Sequence, residues 1–419
     1  MRRSVEFTYE DIVKRNERRG FTSMVKPVGS LCNMRCKYCY YLDKAALYGG
    51  HQPLMDDALL EQYIRSNIEG NNSPVIAFAW HGGEPLLAGK EFFRKAMKLQ
   101  QKYGEGRTIE NSLQTNGLLI DDEWCSIFRD NGFLIGVSID GPEHIHDAHR
   151  VDAGGNPTFA RVMKGIERLY RNRVEYNTLS TVNVHSEGQG REVYRFLRGI
   201  SMFMQFLPVA ELLQDGVIKS PDTATAEIAP WSISSRGFGE FMCDVFDEWV
   251  AKDVGKRYVQ LFDATLALEV GVMPSICSLC ETCGSGLTVE HNGDVYSCDH
   301  FVYPEYKIGN IHKEKLADLA YCDAQFEFGV AKRSSLPRDC RHCRYYKLCH
   351  GECPKHRFIC DSTGEAGLNY FCEGYKLFFS HTEQAMAKMK SLILAGKPAS
   401  DIMLGVEDFT RLVNSGFAG

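Results

Sequence analysis

Cysteine is the residue that most limits what this chain can fold into, because sixteen of its 419 residues are cysteines and most lie in three tight groups. The first group lies within Cys32–Cys39, the second within Cys277–Cys298 and the third within Cys340–Cys372. Secreted proteins that depend on disulfides are usually short. A long chain with clustered cysteines instead predicts a cytoplasmic protein that binds metal through its thiolates.

Composition and charge exclude several classes of function. Lysine and arginine total 48 and aspartate and glutamate total 54, so the net charge is −6, which offers no electrostatic basis for binding nucleic acid. The longest apolar run near the front, Pro74–Trp80, has seven residues, whereas a membrane span needs about 20. Residues 1–20 are mostly charged and polar and lack the apolar core of a signal peptide. We therefore predict a cytoplasmic protein without nucleic-acid or membrane partners.

The first half of the chain alternates short apolar strands with amphipathic helices. The clearest helix has apolar residues at the i, i+3, i+4, i+7 spacing from Phe159 to Tyr170. Such alternation predicts a parallel sheet with helical crossovers, which either stays open or curls toward a barrel. The six predicted strands are Phe21–Val28, Val75–His81, Ile109–Gln114, Phe133–Asp140, Glu175–Val184 and Phe203–Leu207.

The second half begins with two helical patterns, Ser235–Val254 and Arg257–Gly271, and then becomes rich in cysteine. Eleven of the sixteen cysteines lie between Pro274 and Tyr375, where long apolar runs are few, so metal ligation must replace part of a core. A hairpin is predicted at 287–297 and a last helix at Tyr375–Leu394. The predicted division is an N-terminal extension at 1–20, a sheet domain at 21–210, a helical linker region at 211–273, a cysteine-rich domain at 274–375, and a C-terminal helix and tail at 376–419.

The first cysteine group, Cys32, Cys36 and Cys39, has the spacing C-x3-C-x2-C and follows the first predicted strand. Three thiolates so close together can hold three irons of a four-iron cluster and leave the fourth iron open to another ligand. The carboxyl end of a strand is also where barrel enzymes do their chemistry. A structural zinc site is the alternative, although zinc sites usually pair cysteines as C-x2-C. The group therefore predicts an iron–sulfur cluster with an open coordination site.

This spacing, with Tyr38 directly before the last cysteine, resembles the signature of the radical S-adenosylmethionine (SAM) enzymes. The sequence WHGGEP at Trp80–Pro85 resembles the GGE motif of that family, whose backbone, here at Gly83, meets the amino group of SAM. Ser138 and Arg150 resemble the family's contacts to the ribose and the carboxylate of SAM. The resemblance implies a partial (β/α)6 TIM-like barrel, Tyr38 as a further SAM contact, and chemistry by a 5′-deoxyadenosyl radical.

The second and third groups resemble the SPASM domain, the extension of peptide-modifying radical SAM enzymes that holds two auxiliary iron–sulfur clusters. The spacing C-x2-C-x5-C-x3-C from Cys340 to Cys353 is the informative part. Two zinc knuckles are the alternative for this region, and Cys280, Cys322 and Cys360 receive no role. The resemblance implies one cluster on Cys277, Cys283, Cys298 and Cys353, and another on Cys340, Cys343, Cys349 and Cys372.

Within this class, the chain resembles the anaerobic sulfatase-maturating enzymes over roughly 24–379, on segments that include Asn111–Gly117 and Tyr296–Asp299. Those enzymes oxidise a cysteine or serine in a C/S-x-P-x-R motif of an unfolded sulfatase to Cα-formylglycine. The resemblance implies three [4Fe-4S] clusters and SAM as cofactors. It also implies Asp299 as the base that accepts the proton of the target side chain, and Ala210 as a contact to the SAM adenine.

Two other interpretations stay open at this point. One is another SPASM enzyme, which forms thioether crosslinks in a peptide or matures a cofactor precursor. Many of those carry an extra N-terminal precursor-binding domain, and the first strand here begins near residue 21, which favours the maturase. The other is an iron–sulfur electron carrier or a zinc-dependent binding protein, which predicts no SAM binding. For the maturase, the expected partners are an unfolded sulfatase polypeptide and a low-potential electron donor such as flavodoxin or ferredoxin.

Overall fold

The computed structural model describes residues 20–49, 54–223 and 226–404. Most of the predicted N-terminal extension at 1–20, and the tail beyond residue 404, lie outside the described residues. Within the described part, no helix is both long and apolar enough to cross a membrane. All sixteen cysteines lie in this part, and none of them forms a disulfide.

A ten-stranded sheet forms the centre of the fold, and two small sheets accompany it. In chain order the strands are β1 (Thr22–Lys26), β2 (Val75–Trp80), β3 (Thr108–Thr115), β4 (Phe133–Ser138), β5 (Tyr176–Val182), β6 (Phe203–Pro208), β7 (Leu212–Gln214), β8 (Val217–Ile218), β9 (Glu227–Ile228), β10 (Tyr258–Val259), β11 (Gly286–Glu290), β12 (Asp294–Tyr296), β13 (Lys307–Asn310), β14 (Ile359–Cys360) and β15 (Ala366–Leu368). The order in the large sheet is β10-β6-β5-β4-β3-β2-β1-β11-β12-β13.

The strands β1 to β6 confirm the predicted parallel sheet. Each predicted strand is present with its ends within two residues, and the six pair in parallel in the order of the chain. Within the described residues β1 and β6 do not pair with each other, so the sheet stays open between them. This is the arrangement of a partial barrel, and it brings the carboxyl ends of the six strands to one edge.

Helices connect the consecutive strands β1 to β6, and further helices follow in the second half of the chain. In chain order they are α1 (Asp57–Gly70), α2 (Lys90–Tyr103), α3 (Asp122–Asp130), α4 (Glu143–His149), α5 (Phe159–Arg171), α6 (Gly190–Ile200), α7 (Ser235–Lys252), α8 (Gln260–Glu269), α9 (Leu316–Ala320), α10 (Asp323–Ser334), α11 (Arg338–Arg341), α12 (Tyr346–Cys349) and α13 (Cys372–Leu394). The predicted stripe of α5 buries Val162, Ile166 and Leu169. Tyr170, which the spacing assigned to that stripe, is 74% exposed because it lies one residue, or about 100°, beyond Leu169 around the helix.

The predicted hairpin is present as β11 and β12, and it also joins the large sheet, which the sequence pattern did not indicate. Its first strand, β11, pairs in parallel with β1, so the cysteine-rich part of the chain continues the sheet of the barrel. In this register Lys26 at the end of β1 lies opposite Glu290 at the end of β11. The two parts therefore share one sheet, and the domain boundary near residue 274 stays a prediction.

Helix α13 fixes the C-terminal end of the cysteine-rich part by packing along α7. The two helices approach most closely at two glycines: a Cβ atom on Gly239 would lie 2.7 Å from the Cα of Gly374, and one on Gly374 would lie 2.1 Å from the carbonyl oxygen of Ser235. Phe238 of α7 contacts the ring of Tyr375 at 5.4 Å beside this crossing. Because Cys372 is the first residue of α13, this packing also positions a predicted cluster ligand.

Replacing Gly374 by alanine should lower the melting temperature of the protein. The added methyl group has no room beside the carbonyl of Ser235, so the helices must move apart, and overpacking of a core usually costs about 1–3 kcal/mol. The matched control is Gly199→Ala in α6, where nothing lies within 4 Å of the new methyl group and alanine is the better helix former. Thermal denaturation of both variants checks this. A Gly374→Ala variant that melts with the parent would contradict the close crossing.

Candidate active site

The end of β2 fixes the loop that carries the first cysteine group. The backbone N–H of Gly83 donates to the carbonyl of Gly29 at 2.8 Å, and that of Glu84 donates to the carbonyl of Leu31 at 2.9 Å. A Cβ atom on Gly83 would lie 2.1 Å from the Leu31 oxygen, so only glycine permits this approach. Gly82 has a φ of +129°, a backbone conformation that residues other than glycine rarely adopt.

The carboxylate of Glu84 is fully buried and ties this strand end to β3. It accepts hydrogen bonds from the side chain of Thr115 at 2.9 Å and from the backbone N–H of Asn116 at 2.8 Å. Burial raises the pKa of Glu84 to about 7, against the effect of these hydrogen bonds. The amide of Asn116 in turn lies 3.8 Å from the Sγ of Cys32 and donates to Asn33 at 2.7 Å. Asn116 is a site residue that the sequence pattern had not singled out.

The three thiols of the first group lie close enough to affect one another's pKa. Burial is the main cause that raises the pKa of Cys32 to about 11 and that of Cys36 to about 12, and the neighbouring Cys39 contributes to both rises. The charge of Arg150 acts in the opposite direction on Cys36. Each thiol is harder to ionise because it is buried and because its neighbours would also be negative. Added positive charge stabilises the thiolates, and bound iron supplies that charge. The donor set therefore fits the predicted cluster.

Three of the predicted SAM contacts, Tyr38, Ser138 and Arg150, have defined polar partners in the structure. Arg150 forms a buried ion pair with Asp140, Nε to Oδ1 2.9 Å, and its guanidinium lies 5.5 Å from the ring centre of Tyr38. The Tyr38 hydroxyl donates to the same Asp140 carboxylate. Ser138, at the end of β4, accepts a hydrogen bond from Gln114 at 2.8 Å. Asp140 was not among the predicted site residues, although it organises two of them.

Ala210, the predicted adenine contact, lies just beyond β6. Its side chain is 1% exposed and packs in the hydrophobic core. The next residue, Glu211, is also buried and accepts a hydrogen bond from the ammonium group of Lys355 at 2.6 Å. The contact between Ala210 and SAM stays a prediction.

Asp299 lies at the junction of the barrel and the cysteine-rich part. Its carboxylate forms an ion pair with the fully buried Lys26 and accepts a hydrogen bond from the hydroxyl of Tyr40 at 2.5 Å. Burial alone would raise the pKa of Asp299, but the charges of Lys26, His81 and His300 hold that pKa well below its usual range. The carboxylate is therefore ionised.

The contact between Tyr40 and Asp299 connects two cysteine groups. Tyr40 follows Cys39 of the first group, and Asp299 follows Cys298 of the second. Neither Lys26 nor Tyr40 was predicted as a site residue. A lysine at the end of an apolar strand was the available signal, because a buried charge needs a partner.

The four predicted ligands of one auxiliary cluster share a cavity. Cys340, Cys343, Cys349 and Cys372 all line it, together with aromatic side chains that include Tyr345, Tyr375 and Phe379. A single enclosure with four thiols and an apolar wall fits a four-iron cluster held by protein alone.

The four predicted ligands of the other auxiliary cluster also interact with one another. Burial raises the pKa of Cys298, and the thiolates of Cys283 and Cys277 raise it further. Cys353 is buried as well, and Cys283 and Cys298 both raise its pKa. Cys280 instead donates its thiol to the carbonyl of Ile276 at 3.5 Å, within its own turn.

Comparison with known proteins decides the family. Residues 27–197 match the Radical SAM superfamily, and residues 277–344 match SPASM, an iron–sulfur cluster-binding domain. A serine-type anaerobic sulfatase-maturating enzyme of Bacteroides thetaiotaomicron is 44% identical over 392 residues, which are 92% of this chain and 95% of that protein. The chain belongs to the anaerobic sulfatase-maturating enzymes. It is a radical SAM oxidoreductase by family, and the alternatives of an electron carrier and of a zinc protein are set aside.

Further relatives agree with this family and with the fold. A cysteine-type anaerobic sulfatase-maturating enzyme of Clostridium novyi is 32% identical over 378 residues, covering 86% of this chain and 95% of that protein. The solved structure of native anSMEcpe with bound AdoMet and Cp18Cys peptide superimposes with a TM-score of 0.78 at 30% identity, over 89% of this chain and 99% of that one. The expected partial barrel with a C-terminal SPASM domain is confirmed, as is the expectation of SAM and iron–sulfur clusters as the cofactors of this maturase.

Replacing Gly83 by alanine should abolish SAM binding while leaving the chain folded. The new methyl group would displace the carbonyl of Leu31, directly before Cys32, and with it the loop of the first cysteine group. Equilibrium dialysis with SAM on anaerobically assembled protein checks this, with Gly199→Ala as the control that adds a methyl group in open space. Unchanged SAM affinity in Gly83→Ala would show that this strand end does not shape the SAM site.

Proposed function

We propose that this chain oxidises a serine or cysteine in a C/S-x-P-x-R motif of an unfolded sulfatase to Cα-formylglycine. The observation that carries the proposal is the position of Asp299. A carboxylate adjacent to Cys298 in the chain is hydrogen-bonded to Tyr40, the neighbour of Cys39. A base between the first cluster and an auxiliary cluster is what a two-step oxidation of one side chain needs.

The proposed cofactor sites are those that the sequence motifs predict. Tyr38, Gly83, Ser138, Arg150 and Ala210 contact SAM in this proposal. With the cofactors bound, SAM and one electron would supply a 5′-deoxyadenosyl radical, and the auxiliary clusters would supply an acceptor for the second electron of the oxidation. The ligands are Cys32, Cys36 and Cys39 for the first cluster, Cys277, Cys283, Cys298 and Cys353 for one auxiliary cluster, and Cys340, Cys343, Cys349 and Cys372 for the other.

Asp299 takes the proton in the proposed reaction. A serine side chain becomes an aldehyde when its Cβ loses one hydrogen atom, its hydroxyl loses one proton, and one electron leaves separately. The ionised carboxylate of Asp299 accepts the proton. Lys26 and Tyr40 hold that carboxylate in place from two sides, which keeps one orientation of the base before substrate arrives.

We further propose that serine is the preferred target. The support is that the serine-type relative shares 44% of its residues with this chain and the cysteine-type relative 32%. The proposed electron donor is a low-potential carrier such as flavodoxin or ferredoxin. The proposed location is the cytoplasm, because sixteen unpaired thiols persist in a reducing compartment.

Two peptides that differ only in the target residue test whether serine or cysteine is preferred. Reduced protein with three clusters assembled should convert a peptide with S-x-P-x-R to formylglycine in the presence of SAM, and should convert its C-x-P-x-R counterpart more slowly. Mass spectrometry of the products measures both. A variant with alanine at Cys32, Cys36 and Cys39 is the control and should form neither product nor 5′-deoxyadenosine. Faster conversion of the cysteine peptide would contradict the serine preference, and SAM cleavage with neither peptide changed would contradict the proposed function.

Replacing Asp299 by asparagine separates the radical step from the proton step. Hydrogen abstraction needs the first cluster, SAM and a bound peptide, so SAM cleavage should persist. An amide cannot accept the proton, so formylglycine yield should fall by roughly 100-fold. Chromatography of 5′-deoxyadenosine and mass spectrometry of the peptide measure the two steps. Asp318→Asn, at an exposed position of α9, should behave like the parent. A parental yield from Asp299→Asn would mean that another residue is the base.

A further inference from the structure

Two buried cations, Lys332 and Arg357, contact the backbone of the second and third cysteine groups. The side chain of Lys332 is 1% exposed and that of Arg357 is 9% exposed. In the part of the chain that the structure describes, neither forms an ion pair with a carboxylate, and both donate to backbone carbonyls instead. A buried charge without a counter-ion is costly, so these two residues need negative charge from another source.

The loop that Arg357 contacts connects the two auxiliary ligand sets. Cys349 belongs to one proposed set and Cys353 to the other, and only three residues separate them. All three have positive φ angles: 48° at His350, 72° at Gly351 and 52° at Glu352. Left-handed backbone is unfavourable for residues other than glycine. This connection, the 350–352 loop, therefore needs hydrogen-bond partners that stabilise it.

Arg357 supplies those partners. It donates to the three carbonyls of the 350–352 loop at 2.9, 2.9 and 3.1 Å, and to the carbonyl of Lys332. The ammonium group of Lys332 donates to the carbonyls of Cys277 and Ser278, each at 2.8 Å. The guanidinium of Arg357 thus holds the 350–352 loop between the two ligand sets. The ammonium group of Lys332 holds the turn at Cys277, where one of those sets begins.

The guanidinium of Arg357 contacts the backbone beside ligands of both proposed clusters. It donates to the carbonyl of His350, which follows Cys349, and to the carbonyl of Glu352, which precedes Cys353. Cys349 and Cys353 belong to different proposed clusters.

We propose that Arg357 is the shared counter-charge of the two auxiliary clusters and that Lys332 is a second counter-charge for the cluster on the Cys277 side. The inference rests on the proposed function, because it requires those clusters. A four-iron cluster with four thiolates is an anion, and each added electron makes it more negative. A buried cation close to it stabilises the reduced form, so these residues raise the reduction potentials of the clusters that receive the substrate's electron.

The test is a redox titration followed by electron paramagnetic resonance. The full chain with alanine at Cys32, Cys36 and Cys39 removes the signal of the first cluster and keeps both auxiliary clusters. In this background Arg357→Met should lower both midpoint potentials. At a fixed solution potential, the ratio of reduced to oxidised cluster should fall by about tenfold, which corresponds to about 59 mV for a one-electron couple.

Two further variants separate charge from structure. Lys332→Met should shift the potential of one cluster and leave the other unchanged, because the ammonium group of Lys332 donates to the carbonyls of Cys277 and Ser278. Arg357→Lys keeps the charge and loses the planar set of donors, so its potentials should stay near those of the parent even where stability falls. The matched control is Arg344→Met, which follows Cys343 in the chain but has a 66% exposed side chain paired with Glu383, and should shift neither potential.

The outcomes are separable. If the parent protein assembles no iron, the proposed function fails and this inference fails with it. If the parent holds its clusters and Arg357→Met keeps both potentials at full iron content, only this inference is overturned. If Arg357→Met loses iron, Lys332→Met decides: a shift confined to one cluster supports the counter-charge, and unchanged potentials overturn it.

Discussion

A buried lysine and a carboxylate from distant parts of the chain hold this enzyme together. Lys26 is fully buried at the end of the first strand, and Asp299 is its ion-pair partner. Removing the charge of Asp299 would leave Lys26 with the ring of Tyr41 as a remaining partner, and the loss of a buried ion-pair partner lowers stability. The docking of the cysteine-rich part against the barrel is therefore required by charge as well as by the pairing of β1 with β11.

The same interaction explains why the site lies where it does. Glu290 lies opposite Lys26 in the register of β1 and β11 and accepts a hydrogen bond from the Tyr41 hydroxyl. Lys26 lies 3.4 Å from the centre of the Tyr41 ring, and Tyr40 reaches Asp299. The two tyrosines after the first cysteine group thus each contact a carboxylate of the C-terminal part. The first cysteine group and Asp299, which follows Cys298 of the second group, are positioned by one set of contacts.

Much of the fold was predictable because its signals are local. Strand–helix alternation located β1 to β6, since each element shows its own periodicity, and the cysteine spacings identified both kinds of cluster. What could not be predicted is non-local. No local periodicity or spacing indicates the pairing of β11 with β1, the ion pair of Asp140 with Arg150 or the hydrogen bonds of Arg357 to the 350–352 loop. The prediction that Tyr170 belongs to the buried stripe is wrong for a different reason. A residue at the edge of a helical stripe is compatible with either a buried or an exposed position.

The pairing of β1 with β11 has a consequence for the order in which the chain can be made. β1 lies near the start of the chain and has β2 on one side, but its other edge waits for residues beyond 285. Until they emerge from the ribosome, that edge presents unpaired backbone N–H and C=O groups, which readily recruit strands from other chains. A chain whose synthesis stops before residue 286 would therefore expose the free edge of β1, which could pair with strands of other chains. Completion of the chain beyond β11 therefore removes a free strand edge from this protein.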